Sequence, residues 1–219
     1  QIRRVFDAVP SQLDKVNKRF RMDALKSGAV YDRYANDFAW LIDAAVVLPT
    51  YQVSEPKRPL RRTAQENKFK LYEADTGLLL SQYAPQTMLD VIADAPSVNF
   101  GSVYENAVAQ ALSNENPDLF YFCSSRKGEV DFIAQRNDGA LVPIEVKSGK
   151  DYKLHTALNN LLGTHDFEIG EACVLSSANV ERREREGKPI WYLPLYMAFC
   201  IAEQTSGTFG SMHLAPPTF

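Results

Sequence analysis

The chain has 219 residues, 45% of them hydrophobic and 23% charged, which is ordinary for a soluble globular protein of one large domain or two small ones. Its net charge of −3 argues mildly against a dedicated nucleic-acid binder, because such proteins usually carry a basic excess. No apolar run approaches the roughly 20 residues of a membrane-spanning helix, and no signal peptide opens the chain.

The three cysteines, Cys123, Cys173 and Cys200, are widely spaced and odd in number. They form neither a zinc-binding pattern nor a disulfide framework, so a reducing cytoplasm is the expected location. The sequence also opens without an initiating Met, which favours a fragment of a longer protein.

The first half of the sequence predicts helices followed by a pair of strands. One helix is expected over Ser11–Phe20, with a serine N-cap after a proline, and a second over Asp32–Ala45, where apolar residues recur at helical spacing. Strands are expected over Val46–Ser54 and Lys68–Ala74. The order helix, strand, basic loop, strand is that of a winged helix with residues 54–67 as its wing. A three-helix bundle with a surface hairpin is the alternative.

The charges around this wing bear on what it binds. Residues 57–70 hold six Lys or Arg against one Glu, a run that is usually solvated and in some proteins faces phosphate. The preceding helix carries three aspartates (Asp32, Asp37 and Asp43) and only Arg33 as a cation. Because a helix that enters the DNA major groove should not be so acidic, a winged helix that packs on protein is favoured.

A helical, connective segment is predicted over Asp75–Pro96, followed by a domain boundary near residues 95–100, where Pro, Ser, Asn and Gly cluster. The expected domains are therefore a winged-helix-like unit over residues 1–96 and an α/β unit with a mixed sheet over residues 97–219. The last residues, 207–219, have an irregular pattern.

The second half has α/β order. Helices are expected over Ser102–Asn114 and Lys153–His165. Strands are expected over Leu119–Ser125, Glu129–Arg136, Ala140–Ser148 and Glu171–Ser177, and Pro189–Phe199 supplies a last strand or helix. The mixed-charge run Glu181–Glu186 is expected to be solvated.

A hairpin joins two of these strands, and its register decides which charged side chains meet. Asp-Gly is a strong hairpin signal, and it lies in a loop that is predicted to be Asn137–Gly139. With a left-handed glycine in this loop, Arg136 faces Ala140. Counting back then places Asp131 opposite Glu145, with their Cβ atoms about 4.5–5.5 Å apart on one face of the sheet.

In this register Lys147 lies on the same face as the two acids, whereas a two-residue loop would pair Asp131 with Val146 and disperse the cluster. Mg²⁺ prefers oxygen ligands and usually takes one or two carboxylates. A lysine beside such a metal can orient the attacking water and stabilise charge on a phosphate. The cluster therefore predicts phosphodiester hydrolysis with Mg²⁺ or Mn²⁺. An exposed, charged sheet face is the alternative.

Glu105 is a third candidate acid. It shares the apolar stripe of its predicted helix with Val108, Ala109 and Leu112, so it must face either a core or a site. The alternative is a capping box, in which Glu105 accepts a hydrogen bond from the backbone N–H of Ser102.

Two other patterns give negative predictions. The stretch Ser148–Lys150 lacks the spacing of a phosphate-binding loop, so no ATP site is expected in this fragment. His155 and His165 are ten residues apart, lack the spacing of metal ligands, and are expected at the surface.

A glutamate on a helix, then VDF, then PIEVKSG, resembles the PD-(D/E)xK superfamily of restriction-endonuclease-like nucleases, although Val130 stands where a Pro-Asp pair would have its proline. The whole chain is similar to the C-terminal region of bacterial and archaeal AAA-type ATPases. The matching segments are PSQLDKVNKRF, FAWLIDAAVV, FKLYEADTGLL, YENAVAQAL, EVDFIAQ and IEVKSGK.

This resemblance implies a winged-helix-like domain followed by a restriction-endonuclease-like α/β domain, with the N-terminal ATPase module absent from this chain. It implies catalytic roles for Glu105, Asp131, Glu145 and Lys147, with the three acids as metal ligands. Two functions follow as hypotheses: a Mg²⁺-dependent nuclease acting on DNA, or an inert nuclease-fold module that binds DNA or protein and regulates the ATPase.

Overall fold

The computed structural model describes residues 1–93, 95, 101–114, 116, 118–149 and 151–203. In this part of the chain, seven α-helices accompany one sheet of four strands and one of five, which confirms the α/β class. Among these residues, no helix combines the length and the apolar character that crossing a membrane requires.

The first helix begins earlier than predicted. Helix α1 spans Ile2–Leu13, and Ser11 lies inside it, where its hydroxyl donates to the Ala8 carbonyl (2.9 Å). The predicted helix over Ser11–Phe20 is therefore wrong. The sequence pattern that indicates this helix is the recurrence of apolar residues every four positions at Val5, Val9 and Leu13, all of which are fully buried. Helix α2, Ala35–Asp43, confirms the second predicted helix.

The first sheet joins the two halves of the chain. Strands β1 (Val47–Val53) and β2 (Ala64–Glu73) form an antiparallel pair, connected by a loop with a 3₁₀ turn at Leu60–Thr63. Strand β3, Leu119–Ser124, runs parallel to β1, and the sheet order is β2-β1-β3-β4, with β4 at Gly128–Val130.

Helices α3 (Thr76–Ser81), α4 (Pro85–Ile92) and α5 (Gly101–Ser113) confirm the helical character predicted after the hairpin. The boundary predicted near residues 95–100 lies outside the described residues except for Ala95, and so does the tail 207–219. Strand pairing and one hydrophobic cluster, which runs from Val5 to Ile201, connect the two halves. The structure thus differs from a separate winged-helix domain over residues 1–96.

The second sheet has the order β5-β6-β7-β9-β8. Its strands and the remaining helices are β5 (Phe132–Gln135), β6 (Leu141–Val146), α6 (Thr156–Leu162), β7 (Ala172–Ser176), β8 (Glu181–Arg185), β9 (Lys188–Pro194) and α7 (Phe199–Glu203). Strands β6, β7 and β9 are parallel, and α6 provides the crossover between the first two. The run Glu181–Glu186 is solvated as expected, and most of it forms the edge strand β8.

The β5–β6 hairpin has the predicted register. The Arg136 N–H donates to the Ala140 carbonyl (2.9 Å), and Gly139 takes the left-handed conformation with φ +83°. Phe132 pairs with Ile144, so the next position of the ladder places Asp131 opposite Glu145. Asp131 itself forms a bend between β4 and β5, at the point where the two sheets meet.

Candidate functional site: a buried cluster of carboxylates and lysines

Helix α5 is held against β2 in a way that directs Glu105 to the sheet. The Asn106 side chain accepts from the Glu73 N–H (2.8 Å) and donates to the Glu73 carbonyl (3.1 Å). This paired contact places the preceding residue of the helix, Glu105, beside Tyr72 and Lys70 of β2. The Tyr72 hydroxyl donates to Glu105 Oε2 (3.0 Å).

The capping-box alternative for Glu105 is wrong. Helix α5 begins at Gly101, so Ser102 lies in its first turn, and the Ser102 hydroxyl donates to Asp14 (2.7 Å). The Glu105 carboxylate is buried and forms an ion pair with Lys18. Burial raises the pKa of Glu105, but the positive charges of Lys70 and Lys18 outweigh it and lower the pKa below its ordinary value. Glu105 is therefore ionised.

Lys70 is the centre of the cluster. Its side chain is completely inaccessible to solvent, and its Nζ lies 2.7 Å from Glu129 Oε1, 3.6 Å from Asp131 Oδ1 and 3.8 Å from Glu105 Oε2. The ring of Tyr121 lies 5.0 Å from the same atom. Burial lowers the pKa of Lys70, but Tyr72 and the three acids raise it well above its ordinary value. Lys70 is therefore a buried ammonium ion surrounded by carboxylates.

Asp131 is held in the bend by the backbone of β6. Its Oδ2 accepts a hydrogen bond from the Val146 N–H (2.9 Å). Burial and the negative charges of Glu105 and Glu145 raise the pKa of Asp131 to about 8, although Lys70 and the Val146 N–H act in the opposite direction. Asp131 is thus mostly protonated at neutral pH, which shows how crowded with negative charge this part of the cluster is.

Glu145 lies in β6, a strand that is buried along its whole length, so the alternative of an exposed charged face is wrong. Its Oε1 forms an ion pair with Lys147 Nζ (2.8 Å). Burial raises the pKa of Glu145, and Lys147 lowers it by less. The other oxygen, Oε2, is buried and has no hydrogen-bond partner among the described residues.

The structure thus brings all four predicted residues to one region, but the predicted metal ligands do not fit Mg²⁺ as a shared set of three. Glu105 is engaged by Lys18, Lys70 and Tyr72, and the Lys70 ammonium stands between Glu105 and Asp131. Within the described residues, no group of three acidic, His or Cys side chains is arranged to hold a metal ion. The positive charges that the described residues place beside these acids are those of Lys18, Lys70 and Lys147.

Sequence analysis missed four members of the cluster: Lys18, Lys70, Tyr72 and Glu129. Lys70 was counted with the basic, solvated run 57–70, yet the stretch KFKLYEA offered a local signal. Residues two apart in a strand share a face, so Lys70 lies on the same face as Tyr72, and its neighbours Phe69 and Leu71 are buried apolar residues. No comparable signal marks Lys18, which lies 87 residues before Glu105.

The two histidines differ in their surroundings. His165 is exposed as predicted. His155 is buried, and its Nε2 shares a hydrogen bond of 2.7 Å with the Tyr192 hydroxyl, so its predicted surface position is wrong. Burial lowers the pKa of His155, which favours the neutral imidazole.

Residues 100–196 match a family described as "Domain of unknown function (DUF4143)", and residues 1–87 match another described as "Domain of unknown function (DUF8612)". Each match covers less than half of the chain, and the predicted domain boundary falls in the interval between them. No curated protein and no solved structure matches the chain.

Proposed function

We propose that this chain is the C-terminal region of an AAA-type ATPase and serves as a DNA-holding module whose nuclease-like site is catalytically inert. The sequence resemblance supports this context, as does the match of residues 100–196 to a family often found in such regions. The main observation in favour of a catalytically inert site is the position of Lys70 Nζ, which lies within 3.8 Å of carboxylate oxygens of Glu105, Asp131 and Glu129.

A fixed ammonium group repels a divalent cation that binds at the same place, and so weakens metal binding there. Two unit charges about 4 Å apart interact by about 4 kcal/mol at an effective dielectric constant of about 20, and the repulsion from a divalent ion is twice as large. Lys70 has little freedom to withdraw, because it lies within β2, paired with Thr50 of β1, and is fully buried. The carboxylates are therefore neutralised without a metal.

Access is the second argument for an inert site. The side chains of Glu105, Asp131 and Glu145 are only 7%, 14% and 11% exposed, respectively. A catalytic carboxylate must come within hydrogen-bond reach of a reacting group or of its water. A DNA phosphate is a bulky and hydrated group, and in the described part of the chain so little of the three acids is exposed that a phosphate has little room to reach them.

A Mg²⁺- or Mn²⁺-dependent deoxyribonuclease is the second candidate, and one observation favours it. Asp131 faces Glu145, Lys147 contacts Glu145, and the buried oxygen Glu145 Oε2 has no hydrogen-bond partner in the described part of the chain. An acceptor of this kind is where a cation or a water would be stabilised.

Two measurements separate these candidates. Supercoiled plasmid is incubated with the chain and Mg²⁺ or Mn²⁺, alongside the Lys147→Ala variant, and Mn²⁺ is titrated into the protein by calorimetry. For the inert module we expect DNA binding, no cleavage and no saturable Mn²⁺ binding. Cleavage that Lys147→Ala abolishes would establish the nuclease, whereas equal cleavage by both proteins identifies a contaminant.

A further inference from the structure

The segment after α1 is rich in cations and has few internal ion pairs. Residues 15–21, KVNKRFR, contain four cations and no acid in a chain of net charge −3. We call this segment the 15–21 loop. In the described part of the chain, the side chains of Lys15 and Arg19 lie in no ion pair, Arg21 reaches Asp23 only at 3.6 Å, and Lys18 contacts Glu105.

The basic run 57–70, for which contact with phosphate is the alternative to a solvated loop, is different. Four of its six cations are paired with acids: Lys57 with Glu55 (3.1 Å), Arg58 with Glu168 (2.9 Å), Arg61 with Asp118, and the buried Lys70 with Glu129 (2.7 Å). Cations neutralised in this way contribute less to an anion site than unpaired ones. The 15–21 loop is therefore a local concentration of positive charge, because its seven residues contain no acid and include Lys15 and Arg19, which are unpaired among the described residues.

The loop is also held in a defined conformation. The Phe20 N–H donates to the Phe69 carbonyl of β2 (2.8 Å), and the Phe20 ring packs among Phe38 and Phe69. The Arg21 N–H donates to Gln12 Oε1 (3.2 Å), and the Arg19 N–H donates to Asn17 Oδ1 (3.0 Å). A loop fixed before binding loses little conformational entropy when a ligand arrives.

A surface cavity of about 590 Å³ lies along this loop. Its lining is Lys15, Asn17, Arg19, Phe20, Arg21, Met22, Asp23 and Asn67. This space is much larger than a single small ion needs, so it has room for a hydrated chain of phosphates. Val16 projects fully into solvent between the cations and offers an apolar contact for a sugar or a base.

We infer that the 15–21 loop and its cavity form a binding site for the phosphate backbone of duplex DNA, with Lys15, Arg19 and Arg21 contacting phosphates. This inference rests on the proposed function and specifies where the DNA lies. The site adjoins the carboxylate cluster through Lys18, which contacts Glu105. Arg19 is also near enough for its charge to act on Tyr121, the ring beside Lys70. DNA would therefore lie beside the acids without entering among them.

The test is fluorescence anisotropy of a labelled duplex over a series of salt concentrations, using the whole chain. The loop variant is Lys15→Glu with Arg19→Glu. The control variant is Arg62→Glu with Arg185→Glu, two exposed arginines with no ion pair among the described residues and the same change in net charge. Circular dichroism and thermal unfolding check that each variant is folded, and a Lys15→Gln, Arg19→Gln variant repeats the test with a smaller charge change.

For the loop variant we expect binding weakened by about tenfold or more at low salt, and a slope of log K against log salt that is smaller by about 2, since each lost phosphate contact removes about 0.9. The control variant should retain near wild-type affinity. An equal loss in both variants, or no loss in the loop variant, overturns this inference and leaves the proposed function standing. If the wild-type chain does not bind the duplex, both are overturned. Preference for single-stranded RNA over the duplex would overturn the assignment to DNA.

Discussion

Replacing Lys70 by methionine tests the central claim about the site, because methionine is an unbranched side chain of similar shape that lacks the terminal ammonium. In the wild-type protein the ammonium lies 2.7 Å from Glu129, which is 29% exposed, and 3.8 Å from the buried, ionised Glu105. Asp131, at 3.6 Å, adds little at neutral pH, because it is mostly protonated. Removing the partner of a buried charge typically costs about 3–5 kcal/mol.

For a chain of this length, each 1 kcal/mol shifts the unfolding midpoint by about 2–4 °C, so Lys70→Met should lower it by roughly 6–20 °C. The matched control is Lys68→Met, the same substitution two residues earlier in β2, at a lysine with no ion pair in the described part of the chain. This control should shift the midpoint by less than about 2 °C, because surface substitutions usually stay within about 0.5 kcal/mol.

The effect of Lys70→Met should also depend on pH. Without the ammonium, Lys18 and the Tyr72 hydroxyl remain to oppose the effect of burial, so the pKa of Glu105 should be higher in the folded variant than in the folded wild-type protein. The variant is then least destabilised near pH 4 and progressively more destabilised as the pH rises to 8. Mn²⁺ at millimolar concentration should stabilise Lys70→Met and not the wild-type chain, because the variant lacks the ammonium that lies next to Glu105, Asp131 and Glu129.

Thermal unfolding by differential scanning fluorimetry at pH 4, 6 and 8, with and without Mn²⁺, measures all of these effects. If Lys70→Met unfolds at the wild-type temperature at pH 8, Lys70 is not the counter-ion of the cluster and the argument for an inert site fails. If Mn²⁺ stabilises the wild-type protein as much as the variant, the lysine does not exclude the metal.

Three further predictions concern single positions. Asp131→Asn should raise the temperature of the unfolding midpoint at pH 8 and leave it unchanged near pH 4. Because the pKa of Asp131 is raised in the folded state, the folded protein holds a proton that the unfolded chain releases as the pH rises above about 4; this difference destabilises the wild-type fold at pH 8, and asparagine, which does not ionise, removes it. Arg136 forms ion pairs with the buried Glu171 and the exposed Asp138. Arg136→Met should lower the free energy of unfolding in urea by about 3–5 kcal/mol, because it leaves Glu171 without its ion-pair partner, whereas Asp138→Asn should lower it by less than about 1 kcal/mol. Gly139→Ala should lower the free energy of unfolding measured in urea by at least about 1 kcal/mol, because Gly139 has φ +83° and its new Cβ would lie 3.0 Å from Arg58. An unchanged free energy would contradict the three-residue loop that sets the register.

The hairpin was predictable because its determinants are local. Asp-Gly, the alternation of apolar and charged residues, and a left-handed glycine all lie within 15 residues, and together they fix Asp131 opposite Glu145. Helix α5 and its inward-facing Glu105 were predictable for the same reason. The apolar stripe identifies the buried face of the helix without any knowledge of what packs against it.

The pairing of the counter-ions with the acids was not predictable, because it depends on contacts distant in sequence, although the strand pattern around Lys70 is a local sign of its burial. Lys18 meets Glu105 across 87 residues. Lys70 meets Glu105 because α5 packs on β2 through Asn106 and Glu73, and this contact between distant segments leaves no local pattern. A count of basic residues cannot separate Lys70 from the exposed lysines near it. His155 shows the same limit, since its burial depends on Tyr192 in the distant strand β9.

The parallel pairing of β1 with β3 has a consequence for how this chain can be divided. The two family matches, 1–87 and 100–196, invite separate expression of each part. A polypeptide of residues 97–219 alone would present β3 with a bare edge where β1 belongs, and would expose the aromatic residues that β1 and β2 cover. Unpaired strand edges recruit other chains into aggregates. The same truncation would strip the acids of Lys18 and Lys70 together. The two parts are therefore expected to be inherited and produced as one unit, and activity measured on an isolated second part would describe a molecule with a different charge at its centre.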